Sequence, residues 1–224
     1  SNAQAYLQAL VASGITDAKS PTVLGALVTA SVSDTSAAAV VAAGADSTAQ
    51  AEVVMAGMGA GGNAAQLAAL ISGGIPATNA PILIASLNTH KVADINAAAV
   101  ASSGAVSSAQ VGSVKAGIEA GGNPAQLATL VMAEVSINDA PAVVMAGAAT
   151  SVQAKAVVAG IRATGESHAQ LSAIVSQNVS ASNAQAFMQA LVASSITDEK
   201  SPEVLAALVT ASVSDTSAAA VVAA

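Results

Sequence analysis

The feature that most constrains the fold is a long internal repeat: residues 1–43 return as residues 182–224 with six changes. Repetition on this scale indicates a stack of similar units, each supported by its neighbours, in place of one central core. The second copy stops where the chain stops, so we expect the chain to be a piece of a longer tandem array. The changed pairs are Tyr6/Phe187, Leu7/Met188, Gly14/Ser195, Ala18/Glu199, Thr22/Glu203 and Gly25/Ala206.

A shorter period lies inside the period of 181 residues. Prolines, leucines and β-branched residues recur at steps of 60, 60 and 61. We therefore interpret residues 1–224 as one continuous array with blocks 1–60, 61–120 and 121–181, and with 182–224 as the start of the next period. The recurring sets are Pro21, Pro81, Pro141 and Pro202; Leu10, Leu70, Leu130 and Leu191; and Ile15, Ile75, Val135 and Ile196.

Residues that favour helix starts interrupt the apolar stretches at regular intervals. Ser, Thr, Asp and Asn can cap a first turn, and Pro fits the first helical position because its missing N–H costs nothing there. Glycines such as Gly44, Gly61 and Gly74 stand where the helices should end. The predicted starts are Ser20-Pro21, Asp34, Ser47-Thr48, Asn63, Asn79, Asp94, Ser107-Ser108, Asn123-Pro124, Asn138-Asp139, Ser151, Ser167, Ser182-Asn183, Ser201-Pro202 and Asp215.

These signals predict an all-α fold. The expected architecture is an α-solenoid of short antiparallel helices, with about 15 residues per helix and turn and four helices per block. The pattern lacks the consensus residues of tetratricopeptide, ankyrin, HEAT or armadillo repeats, and it is shorter per helix pair than they are.

Composition excludes several classes of function. Charged residues make up 8% of the chain and the net charge is -7, so no basic stripe exists that could neutralise nucleic-acid phosphates. No cysteine is available for disulfides or thiolate metal sites. Glycine, proline and asparagine interrupt every apolar run before it reaches the 18 or more residues of a membrane span. We expect no nucleic-acid partner and no transmembrane helix.

The helix walls are unusually apolar. Residues 35–45, the third helix of the first block, are almost all Ala and Val, and a helix that is apolar all round is normally buried all round. Charged residues fall mostly at turns or in first turns. Either the superhelix winds tightly enough to cover its own walls, or neighbouring chains cover them. We favour neighbouring chains, because contiguous exposed apolar surface usually marks an interaction site.

Candidate chemical motifs are few. Residues 57–62 match the dinucleotide pattern G-x-G-x-x-G, but a helix precedes them where that site needs a strand, so we interpret them as a helix stop. Asp94 lies four residues after His90, but we interpret Asp94 as the start of the next helix, so the two should not share a helical face. Glu166 lies two residues before His168, which is the wrong spacing for one face of a helix. Asp34, Asp94 and Asp215 are expected to cap helices and complement their dipoles. We therefore predict no catalytic, cofactor-binding or metal-binding residue and no cofactor.

The function predicted from these observations is structural. The array would form an extended fibre, stalk or wall element by self-association, without enzymatic activity. Richness in Ser, Thr, Asn and Ala and scarcity of Lys suggest an extracellular or cell-surface location. The alternative is a solenoid binding module or adhesin spacer that presents a surface to a peptide or protein partner. Exposed aromatic residues would support that alternative, and Tyr6 and Phe187 are the only candidates.

Overall fold

The structure is a computed structural model, and it describes residues 2–164 and 167–223. Ser1, Gly165, Glu166 and Ala224 lie outside the described residues, so the relation of Glu166 to His168 stays untested. Over the described ranges the chain forms 15 helices and no strand. The prediction of an all-α fold is confirmed.

The chain divides into two compact units, Ser1–Val111 and Gly112–Ala224. The first unit holds seven complete helices and the beginning of an eighth, which crosses into the second unit. These helices are α1 (Asn2–Ala12), α2 (Ser20–Thr29), α3 (Asp34–Ala42), α4 (Thr48–Gly59), α5 (Ala64–Ser72), α6 (Ala80–Thr89), α7 (Asp94–Ser102) and α8 (Ser108–Glu119).

The second unit continues with seven helices, of which one is only six residues long. They are α9 (Pro124–Met132), α10 (Ala140–Met145), α11 (Ser151–Thr164), α12 (His168–Ser176), α13 (Ala181–Ala193), α14 (Ser201–Thr210) and α15 (Asp215–Ala223).

Helices pack chiefly on the helix two positions further along the chain. In the first unit α1 packs on α3, α2 on α4, α4 on α6 and α5 on α7. In the second unit α9 packs on α11, α10 on α12, α11 on α13, α12 on α14 and α13 on α15. Each unit thus has two interleaved rows of helices, and its core lies between them. The side chains of this core are mostly Ala, Val, Leu and Ile.

The helix starts follow the predicted positions with one exception. Asn63 and Asn123 each form a capping box with the Gln three residues later, so that two free N–H groups are satisfied reciprocally. Pro21 lies in the first turn of α2. The exception is α13, which begins at Ala181 with Ser180 as its cap, before the predicted Ser182-Asn183.

Most helices end in one repeated backbone motif. The residue after the C-cap has a positive φ, and the next residue's N–H bonds to the carbonyl five residues earlier, as Ile75 does to Leu70 at 3.0 Å. This is the Schellman arrangement, which normally places an apolar side chain just past the left-handed residue. Ile75 and Val135 fill that position and are buried. Their recurrence in the sequence therefore reflects how helices stop.

The predicted complete burial of the third helix is wrong for the chain by itself. In α3 Ala37, Val40 and Val41 are buried, whereas Ala38 and Ala42 are exposed. The reason is that neighbouring helices cover only one side of α3. Tight winding of the chain therefore does not cover this wall.

Two of the three aspartates at helix starts do not act as the predicted caps, whereas Asp215 accepts a hydrogen bond from the Thr216 N–H at 2.7 Å in the first turn of α15. Asp34 and Asp94 are the first helical residues, behind Ser33 and Ala93 at the cap position, and neither helix has a side-chain cap bond. Their place in the first turn still complements the helix dipole. Asp94 also accepts a hydrogen bond from Asn63 Nδ2 at 2.8 Å, which ties the start of α7 to the start of α5.

Candidate functional site

The glycine-rich stretch at residues 57–62 is a helix-packing site. Its first glycine lies inside α4 and is buried, and a Cβ there would lie 2.6 Å from Leu70 Cδ1 and 2.8 Å from Leu67 Cδ2. Only Gly61 has a positive φ and serves the helix stop. No strand precedes the stretch, so the dinucleotide geometry is absent here.

The same close approach occurs at two further glycines. Gly117 in α8 contacts Leu127 and Leu130, and Gly160 in α11 contacts Leu171 and Ile174. The steps between the three glycines are 60 and 43 residues. Thus α11 packs on its following helix as α4 and α8 do, although the proline spacing alone would align it with other helices. The third block is the irregular one.

The histidines and the two aromatic residues lie at separate places in the described part of the chain. His90 caps α6 and its Nε2 lies 3.0 Å from Ser108 Oγ, while Asp94 starts the next helix. His168 is exposed at the start of α12. Tyr6 and Phe187 are both buried. The one sequence hint of an exposed aromatic binding face is therefore removed.

Buried polar side chains instead tie helices together. The Tyr6 hydroxyl donates to the Val32 carbonyl oxygen, just past the end of α2. Gln66 Nε2 donates to Asn88 Oδ1 at 2.9 Å, near the end of α6. Gln126 Nε2 donates to the Val144 carbonyl oxygen at 2.9 Å, in α10. Each bond satisfies a group that would be costly to bury alone, and it fixes the second helix of a block against the first. These are structural contacts.

The strongest candidate for a ligand site is a charged cleft of about 320 Å³ in the second unit. Glu134 and Asp139 lie on one wall, and Lys155 and Arg162 lie on α11 at the other wall. The two basic residues are seven apart, so they share one side of the helix. Within the described part of the chain none of these four takes part in an ion pair.

The charged cleft could bind a ligand with separate positive and negative groups, such as a segment of peptide. Among the described residues its one serine, Ser136, donates its hydroxyl to a carboxylate, and the lining includes no histidine that could act as the general base of acyl transfer. Asp139 already accepts a hydrogen bond from Ser136 Oγ at 2.9 Å, which holds the turn before α10. Over residues 2–164 and 167–223 no group of three or more His, Cys, Asp or Glu side chains is placed to hold a metal ion.

Sequence reasoning missed the charged cleft because its charges are far apart in the chain. Aligning Gly57 with Gly160 supplies the signal: Lys155 stands where α4 has Glu52, and Arg162 stands where α4 has Gly59. The prolines do not give that alignment. The change from an acidic residue, Glu52, to a basic residue, Lys155, is therefore visible only when the two helices are aligned by their packing glycines.

Exposed apolar side chains occur on both units. Side chains of Val, Ile, Leu and Met are at least one-third exposed on helices of both units, and the exposed face of α3 adds Ala38 and Ala42. The most exposed of these side chains are Val11, Val28, Ile95, Met132 and Val152.

None of the helices in the described ranges is long and apolar enough to cross a membrane. Comparison with models of known families, with curated proteins and with solved structures gives no match for this chain.

Proposed function

We propose that this chain is a structural element, an α-solenoid of four-helix blocks that self-associates into an extended fibre, stalk or wall and carries no catalytic activity. Its place would be outside the cell or at the cell surface. Support for the solenoid comes from the packing of each helix on the one two positions further along, within each unit. Such packing can be extended by adding helices at either end.

The observation that carries the proposal is the apolar character of exposed helix walls in a chain that has so few charges. Soluble helices normally present Lys, Glu and Arg to water, whereas α3 presents Ala38 and Ala42 and α7 presents Ile95. Exposed apolar surface of this kind gains free energy when a partner covers it, at about 25 cal/mol per Å². Copies of the same chain are the partners that an array would meet most often.

Sedimentation velocity and negative-stain microscopy of the purified chain test the proposal. Growth into filaments or sheets with rising concentration is the expected result, and stable monomers at all concentrations would contradict it. Ala38→Glu should reduce assembly while leaving helicity unchanged, because Ala38 is exposed in the chain by itself. Ala18→Glu is the matched control, since the second copy already carries Glu199 at the corresponding position.

The charged cleft favours the second candidate, a binding module for a peptide or protein. Four ionisable side chains line this one cleft, although only 8% of the residues in the chain are charged. A double variant, Lys155→Ala with Arg162→Ala, should abolish binding to a charged partner without affecting self-association. Unchanged binding in that variant would count against this candidate.

A further inference from the structure

The four charged residues of the charged cleft all depart from the repeat around them. Glu134 and Asp139 are compared with the other blocks through the proline alignment, and Lys155 and Arg162 through the packing glycines of α4, α8 and α11. The first two blocks fold without any of the four, so packing into an array does not require them. The residues at the corresponding positions are Gly14 and Gly74 for Glu134, Lys19 and Asn79 for Asp139, Glu52 and Gly112 for Lys155, and Gly59 and Glu119 for Arg162.

The charges face each other across the cleft without pairing. The acidic wall consists of Glu134 and Asp139, and the basic wall consists of Lys155 and Arg162. The two basic residues lie about 10 Å apart along the axis of α11, at 1.5 Å per residue. Within the described ranges no ion pair joins the two walls. A structural salt bridge would hold the walls together, whereas here a cleft of about 320 Å³ stays open between them.

The acidic wall is built at a cost to the backbone. Glu134 has φ 53°, in the left-handed region that favours glycine. The helix stop itself does not need a side chain there, because Gly74 makes the same stop with φ 63°. Residues in such sparsely populated conformations cluster at functional sites, where the position of the side chain matters more than local stability. The carboxylate of Glu134 is therefore a candidate ligand-binding group.

We propose that the charged cleft binds a short peptide with free termini. The ammonium group of the peptide lies at the acidic wall, and its carboxylate lies at the basic wall. The proposal rests on the second candidate function, a binding module, and names its ligand.

The size and lining of the cleft select this ligand. Its volume of about 320 Å³ is at the lower end of the range of small-molecule sites, about 300–1,000 Å³, and suits a peptide of about three small residues. A ligand with charges of only one sign would meet like charges on one wall, which disfavours binding. Ionised termini would instead form charge-assisted hydrogen bonds with both walls. The apolar lining residues, suited to small side chains, are Ala133, Val135, Val158, Ala159 and Ala181.

Isothermal titration calorimetry of the full chain with tri-alanine tests the proposal. N-acetyl-tri-alanine, which lacks the ammonium group, and tri-alanine amide, which lacks the carboxylate, are the matched probes. Saturable binding of tri-alanine at one site is the expected result, and each cap should weaken it by about tenfold or more, because a hydrogen bond to a charged group is lost. Tri-alanine that binds no more tightly than its doubly capped form would overturn the proposal.

Variants of the two walls locate the ligand. Glu134→Gly installs the residue that the array already has at Gly74, so the fold should be retained and the melting temperature should rise. The same variant should weaken tri-alanine about tenfold but leave N-acetyl-tri-alanine unchanged, since that probe has no ammonium group to lose. Lys155→Gln should weaken tri-alanine and leave the amide unchanged. Lys115→Gln on α8 is the matched control and should bind as the native chain does.

The outcomes distinguish this proposal from the function on which it rests. Binding of tri-alanine that neither wall variant changes would overturn the assignment to the charged cleft. A third probe is a longer, doubly capped alanine peptide that carries one lysine and one glutamate. If only this probe binds, and the Lys155→Ala, Arg162→Ala variant abolishes its binding, the short-peptide proposal is overturned and the binding module stands. If none of the probes binds, both are overturned. Sedimentation tests the structural function separately.

Discussion

Residues 1–43 and residues 182–224 share nearly the same sequence, yet each copy buries side chains that the other exposes. Leu7 is 55% exposed and its counterpart Met188 is 0% exposed. At the opposite side Val40 is 0% exposed and its counterpart Val221 is 50% exposed. Helices that come later in the chain pack on the first copy, whereas helices that come earlier in the chain pack on the second copy. Burial in this fold therefore depends on neighbouring helices more than on the segment's own sequence.

The contrast predicts a large difference between two equivalent substitutions. Met188→Glu should lower the free energy of local opening of residues 182–223 by about 3 kcal/mol, because it buries an unpaired charge between α11 and α13. Leu7→Glu should change that of residues 2–43 by less than about 0.5 kcal/mol, as is usual for surface positions. Native-state hydrogen exchange with peptide resolution measures both. Equal effects in the two copies would show that neighbours do not decide burial.

Tyr6 and Phe187 provide a test with a smaller expected effect, in which the two reciprocal substitutions should change stability in opposite directions. Tyr6→Phe should destabilise residues 2–43 by about 1.5 kcal/mol, because it removes the hydrogen bond to the Val32 carbonyl and leaves that acceptor without this partner. Phe187→Tyr should stabilise the second copy, since Phe187 and the corresponding Val213 line one cleft near the end of α14. The same exchange experiment reports both changes. A loss of protection in Phe187→Tyr would mean that the hydroxyl finds no acceptor.

The helix stop after α1 and α13 offers a test of backbone strain. Gly14 has φ 64° and Ser195 has φ 53°, and a side chain in this left-handed region costs about 1 kcal/mol relative to glycine. Ser195→Gly should therefore stabilise the second copy by that amount, and Gly14→Ser should destabilise the first. Thermal unfolding followed by circular dichroism provides the measurement. Opposite signs would contradict the account of the stop.

The smallest expected effect is at an open position within a helix. Gly25 in α2 has no atom within 4 Å of an added Cβ, so Gly25→Ala should stabilise the helix by roughly 0.5 kcal/mol. The second copy already has Ala206 there. Gly117→Ala is the contrasting control: its Cβ would lie 2.5 Å from Leu130 Cδ1, and the substitution should destabilise. Hydrogen exchange of the two helices distinguishes these signs.

Local chemistry made the helix boundaries predictable. Capping residues such as Asn63 and Asn123 act through atoms only a few positions away, so the sequence alone contains the whole interaction. The glycines at helix stops are similar, because a positive φ is a property of one residue. Ser180 was not predicted as the cap of α13 because it lies outside the repeated segment, which begins at Ser182.

Features that depend on packing were not predictable in this way. Gly57 looks like a turn residue in the sequence and is a contact site for Leu67 and Leu70 in the structure. The charged cleft needs the register of α11 against the α9–α10 turn, which the proline spacing does not give. The exposure of Ala38 depends on which side of α3 receives a neighbour, and a sequence that is apolar on all sides cannot indicate that.

Hydrogen exchange of the full chain as a function of concentration tests the central claim most directly. The six sequence differences allow peptides from the two copies to be distinguished by mass. If copies self-associate through their exposed apolar helix walls, protection in helices such as α3 and α7 should rise with concentration, because Ala38, Ala42 and Ile95 would become covered. Protection in both copies that does not vary with concentration would contradict the account.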